Sequence, residues 1–207
     1  MRRITLELAV LVIAVSAIQA QVNQKNEIGL LLGAVVTPSL NEEGGGNLKV
    51  GSGIAFQLTY ARLLSSDSRI RLYFEVPALA IPLQDIRSSN GDIPLNYDSF
   101  FVTPSLRAKF RPDSTLSPWI SAGGGYALFD ESASRNDGTH NTTRGTSGGA
   151  LQFGGGLDVR TRLKLLIPIG ARLEVRDFYT QKPNYNVDTG GGFQHNPVFS
   201  GGLVLHF

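Results

Sequence analysis

Histidine, serine and carboxylate side chains are the groups of this chain that could support hydrolysis. Such chemistry needs a nucleophile beside a base, and an acid that orients the base. Ser200, His206 and Glu174 are of the required types. His206 and Glu174, however, fall on the charged side of their predicted strands, whereas a site that cuts membrane lipids must face the bilayer. The sequence therefore predicts no catalytic residues and no enzyme.

Metal and cofactor chemistry has even less support. The chain has no cysteine, and its histidines at 140, 195 and 206 lack the spacing of metal ligands. Glycine runs at 44–46, 123–125, 154–156 and 190–192 might suggest phosphate cradles, but a cradle requires a strand before it and a helix after it. No helix pattern follows any run, so we expect these glycines to allow bending and close packing. The sequence predicts no metal and no cofactor.

Charged residues alternate with apolar ones along several segments. In IGARLEVRDF (169–178), Arg172, Glu174 and Arg176 alternate with Leu173 and Val175. A period of two residues indicates a β-strand with one charged and one apolar face. If the charged faces point inward, they predict an ion-pair network, because buried charges must be paired. Its predicted members are Arg71, Glu75, Arg107, Lys109, Asp158, Arg160, Arg172, Glu174 and Arg176.

Eight alternating segments are separated by turn-forming residues, and none has a helical period. We find no second domain. The predicted strands are 28–37, 53–62, 69–81, 99–110, 119–129, 150–160, a seventh that starts near 165, and 196–207.

The connections between these strands alternate strictly in length. The segments 63–68, 111–117 and 161–164 are short, whereas 38–49, 82–98, 130–148 and 180–194 are long and polar. All long loops must therefore lie at one end of the sheet, as in outer-membrane barrels with short periplasmic turns and long outer loops.

The first twenty residues have the features of a secretory signal. Arg2 and Arg3 precede an apolar run that is too short for a transmembrane helix, and Ala20 stands at a plausible cleavage site. We therefore expect residues 1–20 to be a signal peptide and 21–207 to be one barrel domain. The net charge of +2 and the mixed signs give no basic stripe for nucleic acid.

Export, loop asymmetry and strand length together favour charged faces that point inward. About eleven residues in a tilted strand span the roughly 25 Å apolar band of an outer membrane. Open edges would leave unpaired backbone groups in lipid, so the first and eighth strands must pair. The sequence predicts an all-β, closed, eight-stranded antiparallel up-and-down transmembrane barrel. Tyr60, Phe110 and Trp119 are predicted to form an interfacial aromatic girdle.

With these features the chain resembles the small eight-stranded outer-membrane β-barrel proteins of Gram-negative bacteria, the OmpA/OmpX-like superfamily. The resemblance covers 21–207 and includes PWISAGGGYALF and the terminal GGLVLHF. It implies that Phe199, Leu203, Leu205 and Phe207 form a signal read by the barrel-assembly machinery. No periplasmic domain follows the barrel, so a wall-anchoring role is not expected to carry over.

The expected function is structural or interactive: an outer-membrane scaffold that displays four loops and catalyses nothing. Expected partners are outer-membrane lipid and lipopolysaccharide, with an unidentified extracellular partner at the loops, and the expected state is a monomer. The candidate recognition residues in the loops are Arg87, Asp92, Tyr97, Arg135, Tyr185 and Phe193. Two alternatives stay open, namely a narrow pore and a secreted lipocalin-like carrier with an apolar interior.

Overall fold

The computed structural model describes residues 25–42, 46–88, 93–142, 145–160, 168–185 and 192–207. The predicted signal peptide lies outside these residues. No helix in the described part of the chain is long and apolar enough to cross a membrane. The strands are β1 (Asn26–Val35), β2 (Leu40–Glu42), β3 (Gly46–Val50), β4 (Gly53–Ser66), β5 (Ile70–Arg87), β6 (Asn96–Val102), β7 (Ser105–Phe110), β8 (Leu116–Glu131), β9 (Thr146–Arg160), β10 (Ile169–Gln181) and β11 (Phe193–His206).

The sheet closes on itself. Each long strand pairs antiparallel with its neighbour in the chain, and β11 returns to pair with β1, where Leu30 lies opposite Leu203. β6 and β7 follow one another between β5 and β8 and together occupy the position of one barrel strand. We call each such strand position a stave. The barrel therefore has eight staves, and the predicted closed antiparallel barrel is confirmed. β2 and β3 form an additional hairpin, in which β3 pairs with the last residues of β5.

Burial alternates along the strands and shows which face is inside. On β10, Leu173 is 62% exposed on the outer wall, whereas Arg172 is 1% exposed in the lumen. The outer wall of β4 is likewise apolar, with Ile54, Phe56 and Leu58 all exposed. An apolar exterior around a charged interior reverses the arrangement of a soluble barrel. The lipocalin-like alternative, which requires an apolar interior and a polar wall, is wrong.

The fourth predicted strand is interrupted. Thr103 and Pro104 separate β6 from β7, and proline cannot donate a ladder hydrogen bond. The strand opposite carries Gly123 and Gly125, where an added Cβ would clash with the carbonyl oxygens of Pro104 and Val102. The glycine run of β8 therefore permits close approach of the interrupted stave, which is the packing role predicted for it.

The connections alternate between the two ends of the barrel as predicted, although the β5–β6 connection, 88–95, is shorter than the predicted 82–98 because β5 extends to Arg87. The connections 67–69 and 111–115 are short turns at one end, and the β9–β10 connection at the same end lies mostly outside the described residues. The long connections at the other end follow β1, β5, β8 and β10. Strands β5 and β8 also extend beyond their predicted ends toward this side. We call it the outer end and the opposite one the periplasmic end.

Candidate functional site: the filled barrel interior

Ion pairs fill the lumen closest to the periplasmic end. Asp158 on β9 accepts from Arg172 Nε at 2.6 Å, and Lys109 Nζ lies 2.7 Å from its other oxygen. Glu27 on β1 is paired with Arg107 and lies 3.2 Å from Arg172 Nη2. These residues come from β1, β7, β9 and β10. Arg172 and Asp158 lie opposite each other on neighbouring strands, whereas the other pairs connect strands that are not adjacent.

A second layer lies toward the middle of the barrel. Arg176 donates from Nη1 to Glu75 at 2.8 Å and from Nε to Glu174 at 2.7 Å. Gln57 Nε2 donates to Glu174 at 2.7 Å. Arg107 Nε lies 2.8 Å from Glu75, which joins this layer to the first.

We call the eight charged residues of both layers the ionic network. It comprises four acids and four bases, all buried and formally neutral in sum: Glu27, Glu75, Asp158, Glu174, Arg107, Lys109, Arg172 and Arg176. Buried ions are tolerated only when paired and hydrogen-bonded, because their desolvation is costly. The stability of the ionic network therefore depends more on its overall neutrality than on the strength of any one ion pair.

Trp119 lies at the centre of the ionic network. It is 2% exposed, and its Nε1 donates to Asp158 at 3.1 Å. The guanidinium carbons of Arg172 and Arg176 lie 5.2 and 5.1 Å from its ring centre, within range of cation–π attraction. Its predicted place in an interfacial girdle is wrong. Gly156 leaves the space for this ring, because an added Cβ would lie 2.7 Å from Trp119 Cζ2.

Most predicted network members meet in the lumen, but two do not. Arg71 and Arg160 lie at the periplasmic mouth, where Asp113 Oδ1 is 3.0 Å from Arg71 and 3.7 Å from Arg160. Both strands reach the barrel end there, so these side chains extend into solvent instead of the lumen. Glu27 was not among the predicted members, because the first predicted strand began at residue 28. The available signal was its place on the same face as Gly29 and Leu31, in alternation with Ile28 and Leu30.

The outer half of the lumen holds an apolar cluster, beside buried polar residues that include Gln84, Glu131, Gln194 and Asn196. Phe101 and Phe178 lie 4.8 Å apart between ring centres, and Phe129 meets Phe101 edge-on at 5.8 Å. We call this cluster of buried residues the apolar plug, and its members are Val35, Leu48, Val50, Ala55, Leu79, Ile81, Ile86, Ile93, Tyr97, Phe101, Ala127, Phe129, Ala150, Phe178, Tyr185 and Val198.

Parts of the outer loops belong to the apolar plug. Leu48 of the β2–β3 hairpin and Ile93 of the next loop are fully buried. Tyr97 and Tyr185, predicted as recognition residues, are buried too, and burial raises the pKa of Tyr185 well above its ordinary value. Their predicted exposure is wrong. Arg87 and Phe193 are exposed, whereas Asp92 lies outside the described residues.

The outward residues keep their predicted side. Phe199 and Leu203 are more than half exposed on the outer wall, and Leu205 and Phe207 are partly exposed on the same face. Their role in assembly stays a prediction. Tyr60 is 40% exposed near the periplasmic end and donates a hydrogen bond to Asn26. Phe110 is half-buried at the end of β7.

The hydrolytic set does not assemble. Ser200 Oγ lies 3.4 Å from Glu174 inside the lumen, but His206 is next to Glu27, 3.5 Å from its Oε1. Six strand residues, about 20 Å, separate Ser200 from His206. A different pair, His195 Nδ1 and Asp177 Oδ2, lies 2.5 Å apart on the outer wall. No cluster of metal-ligating residues occurs within the described ranges.

The chain is similar to several solved structures. Neisserial surface protein A has 11% identity and a TM-score of 0.53 over 89% of this chain and 98% of its own. The outer membrane protein OprG from Pseudomonas aeruginosa has 14% identity and a TM-score of 0.48 over 88% and 96%. The outer membrane enzyme PagL has 14% identity and a TM-score of 0.40 over 84% and 97%. The sequence matches no known protein family and no curated protein.

The closed sheet, the apolar outer wall and the ion-filled interior define a membrane-spanning β-barrel. Its fold is that of the small eight-stranded outer-membrane barrels, as the likeness to Neisserial surface protein A shows. The chain is therefore an outer-membrane barrel.

Proposed function

We propose that this outer-membrane barrel is a non-conducting scaffold. It presents its outer loops, and the strand ends beneath them, for contact with other molecules. The observation that carries the proposal is the filling of the lumen in both halves. Arg107, Arg172 and Arg176 are each at most 1% exposed, and so are Phe101 and Phe178 above them. Eight strands enclose only enough space for side chains, and here charged and aromatic side chains fill that space.

The outer loops support presentation because they are anchored. Leu48, Val50 and Ile93 pack into the apolar plug, which fixes the loop bases to the barrel. Asn136 N donates to the carbonyl of Ile93 at 3.0 Å, so two neighbouring loops are also tied to each other. Exposed residues such as Arg87 and Phe193 are then held on a firm support, which suits a recognition surface.

Single-channel recording in planar bilayers tests the closed lumen. We expect no current steps from the wild-type barrel at any voltage that the bilayer withstands. The matched control is the double variant Trp119→Ala, Phe101→Ala, which removes one large ring from each half. Uniform steps from the wild type that grow in the double variant would replace the scaffold with a narrow pore.

The absence of catalysis belongs to the same proposal and needs its own test. The arrangement that would favour an enzyme is His195 beside Asp177 on the outer wall, since a carboxylate that orients a histidine is half of a hydrolytic site. We expect lipids incubated with the wild type and with His195→Ala to give identical mass spectra. Loss of an acyl chain with the wild type alone would overturn the non-catalytic assignment.

A further inference from the structure

A groove of about 420 Å³ lies at the periplasmic edge of the barrel, at the turn ends of β5 and β7. Ile70 and Phe110, which face each other across these strands, form its apolar side. Arg69 and Arg111 form its basic side. The backbone N–H of Arg111 donates to the Arg69 carbonyl at 2.9 Å, which holds the two arginines side by side.

The depth of the groove in the membrane follows from its place on the strands. The outward residues of β5 and β7 are apolar, among them Phe74 at 41% and Leu106 at 52% exposure. Ile70 and Phe110 end these two apolar rows, and Arg69 and Arg111 are the next residues along the chain. The arginines therefore lie where the hydrocarbon ends and the periplasmic headgroups begin.

We propose that this groove binds the phosphate of an anionic glycerophospholipid from the periplasmic leaflet. Both guanidinium groups donate hydrogen bonds to the phosphate oxygens, and an acyl chain lies against Ile70 and Phe110. Guanidinium groups suit this role because their planar donors match two phosphate oxygens at once.

The two arginines are available for such a ligand. Asp113, the carboxylate that lines the groove, is held by Arg71 at 3.0 Å and by Arg160 at 3.7 Å. Within the described part of the chain, neither Arg69 nor Arg111 has an ion-pair partner. Both side chains are exposed and line the groove, so their charges are open to a ligand there.

The backbone of Arg111 supplies an independent argument. Its φ of 48° makes it the one non-glycine residue with positive φ in the described ranges. Glycine or asparagine suits this conformation best, and an arginine is strained there. Ser114 N and Ser117 Oγ both donate to its carbonyl, at 3.0 and 2.8 Å, and fix the turn. The strain is understandable if the turn must present a guanidinium at this spot.

The charge around the groove favours an anionic lipid over a zwitterionic one. Bases outnumber acids at the periplasmic end of the described chain. The bases are Lys25, Arg62, Arg69, Arg71, Arg111 and Arg160, and the acids are Asp67 and Asp113. A headgroup without an amine avoids repulsion from this surplus, and each basic residue near the headgroups adds attraction.

The test uses the full barrel in phosphatidylcholine vesicles with spin-labelled phosphatidylglycerol as the probe. Electron paramagnetic resonance gives the fraction of probe immobilised at the protein. We expect preferential immobilisation of phosphatidylglycerol over labelled phosphatidylcholine by the wild type. The preference should fall ~5-fold per arginine in Arg69→Gln and Arg111→Asn. Asparagine tolerates the backbone conformation of Arg111. Folding of each variant is verified if its mobility difference between unheated and boiled samples on an SDS gel is unchanged.

Arg62→Gln is the matched control, because Arg62 is an exposed periplasmic-end base on β4, outside the groove. Its preference should fall far less than in the two groove variants. An equal loss in this variant would mean diffuse attraction and would overturn the site, as would no preference in the wild type. Replacing chloride by inorganic phosphate at constant ionic strength should leave the probe bound. Complete displacement would assign the groove to free phosphate instead.

Discussion

In the periplasmic half of the barrel most inward positions carry charged or polar side chains, whereas in the outer half a cluster of aromatic and aliphatic side chains lies on the inner face, beside a few buried polar residues. β10 shows the change within one strand, since Arg172, Glu174 and Arg176 are followed on the inner face by Phe178. The β7–β6 stave shows it again, with Arg107 below and Phe101 above. Both groups of side chains fill the lumen, but they are held together by different interactions.

The two halves of the barrel should differ in how well they tolerate substitutions. In the ionic network each group has specific partners. Asp158, for example, contacts three residues, namely Arg172, Lys109 and Trp119. Removing one charge leaves its partners desolvated and unpaired, which costs far more than a lost contact. In the apolar plug the cost should follow the volume removed. Substitutions should therefore destabilise the two halves to different degrees.

The largest expected effect is that of Asp158→Asn. The change keeps the size of the side chain but leaves the buried network with an excess positive charge. We expect a loss of about 3–5 kcal/mol in the free energy of unfolding. Urea unfolding in phospholipid vesicles measures it, with the fluorescence of Trp119, the single tryptophan, as the probe.

A double-mutant cycle with Lys109→Met sharpens this prediction. Lys109 Nζ lies 2.7 Å from Asp158, so removing both charges restores neutrality. The double variant should be more stable than the sum of the single losses predicts, by about 0.5–3 kcal/mol. Additive losses would mean that the two charges act independently and that the network is not a unit.

Gly156→Ala should have the next largest effect. The new methyl group would lie 2.7 Å from Trp119 Cζ2 and would also meet the carbonyl oxygen of Leu173. Overpacking of this kind costs about 1–3 kcal/mol. The same unfolding measurement applies, with Gly149→Ala on the same strand as the control, because no heavy atom lies within 4 Å of its added Cβ. Equal stability of the two variants would show that the ring shifts freely.

Ile81→Val tests the apolar plug by volume alone. Ile81 is 1% exposed, and one methylene is removed without adding a polar group. We expect a loss of about 0.5–1.5 kcal/mol, again from urea unfolding. A loss as large as that of Asp158→Asn would break the comparison, because both halves would then depend on fixed geometry.

Alternation in the sequence was enough to predict the strands, the closed barrel and the inward side of most charges. It could not pair those charges, because partners such as Arg107 and Glu27 are 80 residues apart and meet only once the sheet closes. Trp119 was misplaced because its glycine-rich strand gave no clear parity. The apolar plug was not predicted, because alternation does not distinguish Phe101 and Phe178 from the charged residues on the same face of their strands.

The smallest expected effect is that of Asp113→Asn at the periplasmic mouth. Its partners Arg71 and Arg160 are partly exposed, and the side chain of Asp113 is 64% exposed. Exposed pairs contribute about 0–1 kcal/mol, and salt screens them. The loss should therefore be under about 1 kcal/mol and should vanish in high salt, whereas the loss in Asp158→Asn should persist because its partners are buried. If salt removed the penalty of Asp158→Asn as well, water would have to reach the ionic network, and the closed lumen would no longer hold.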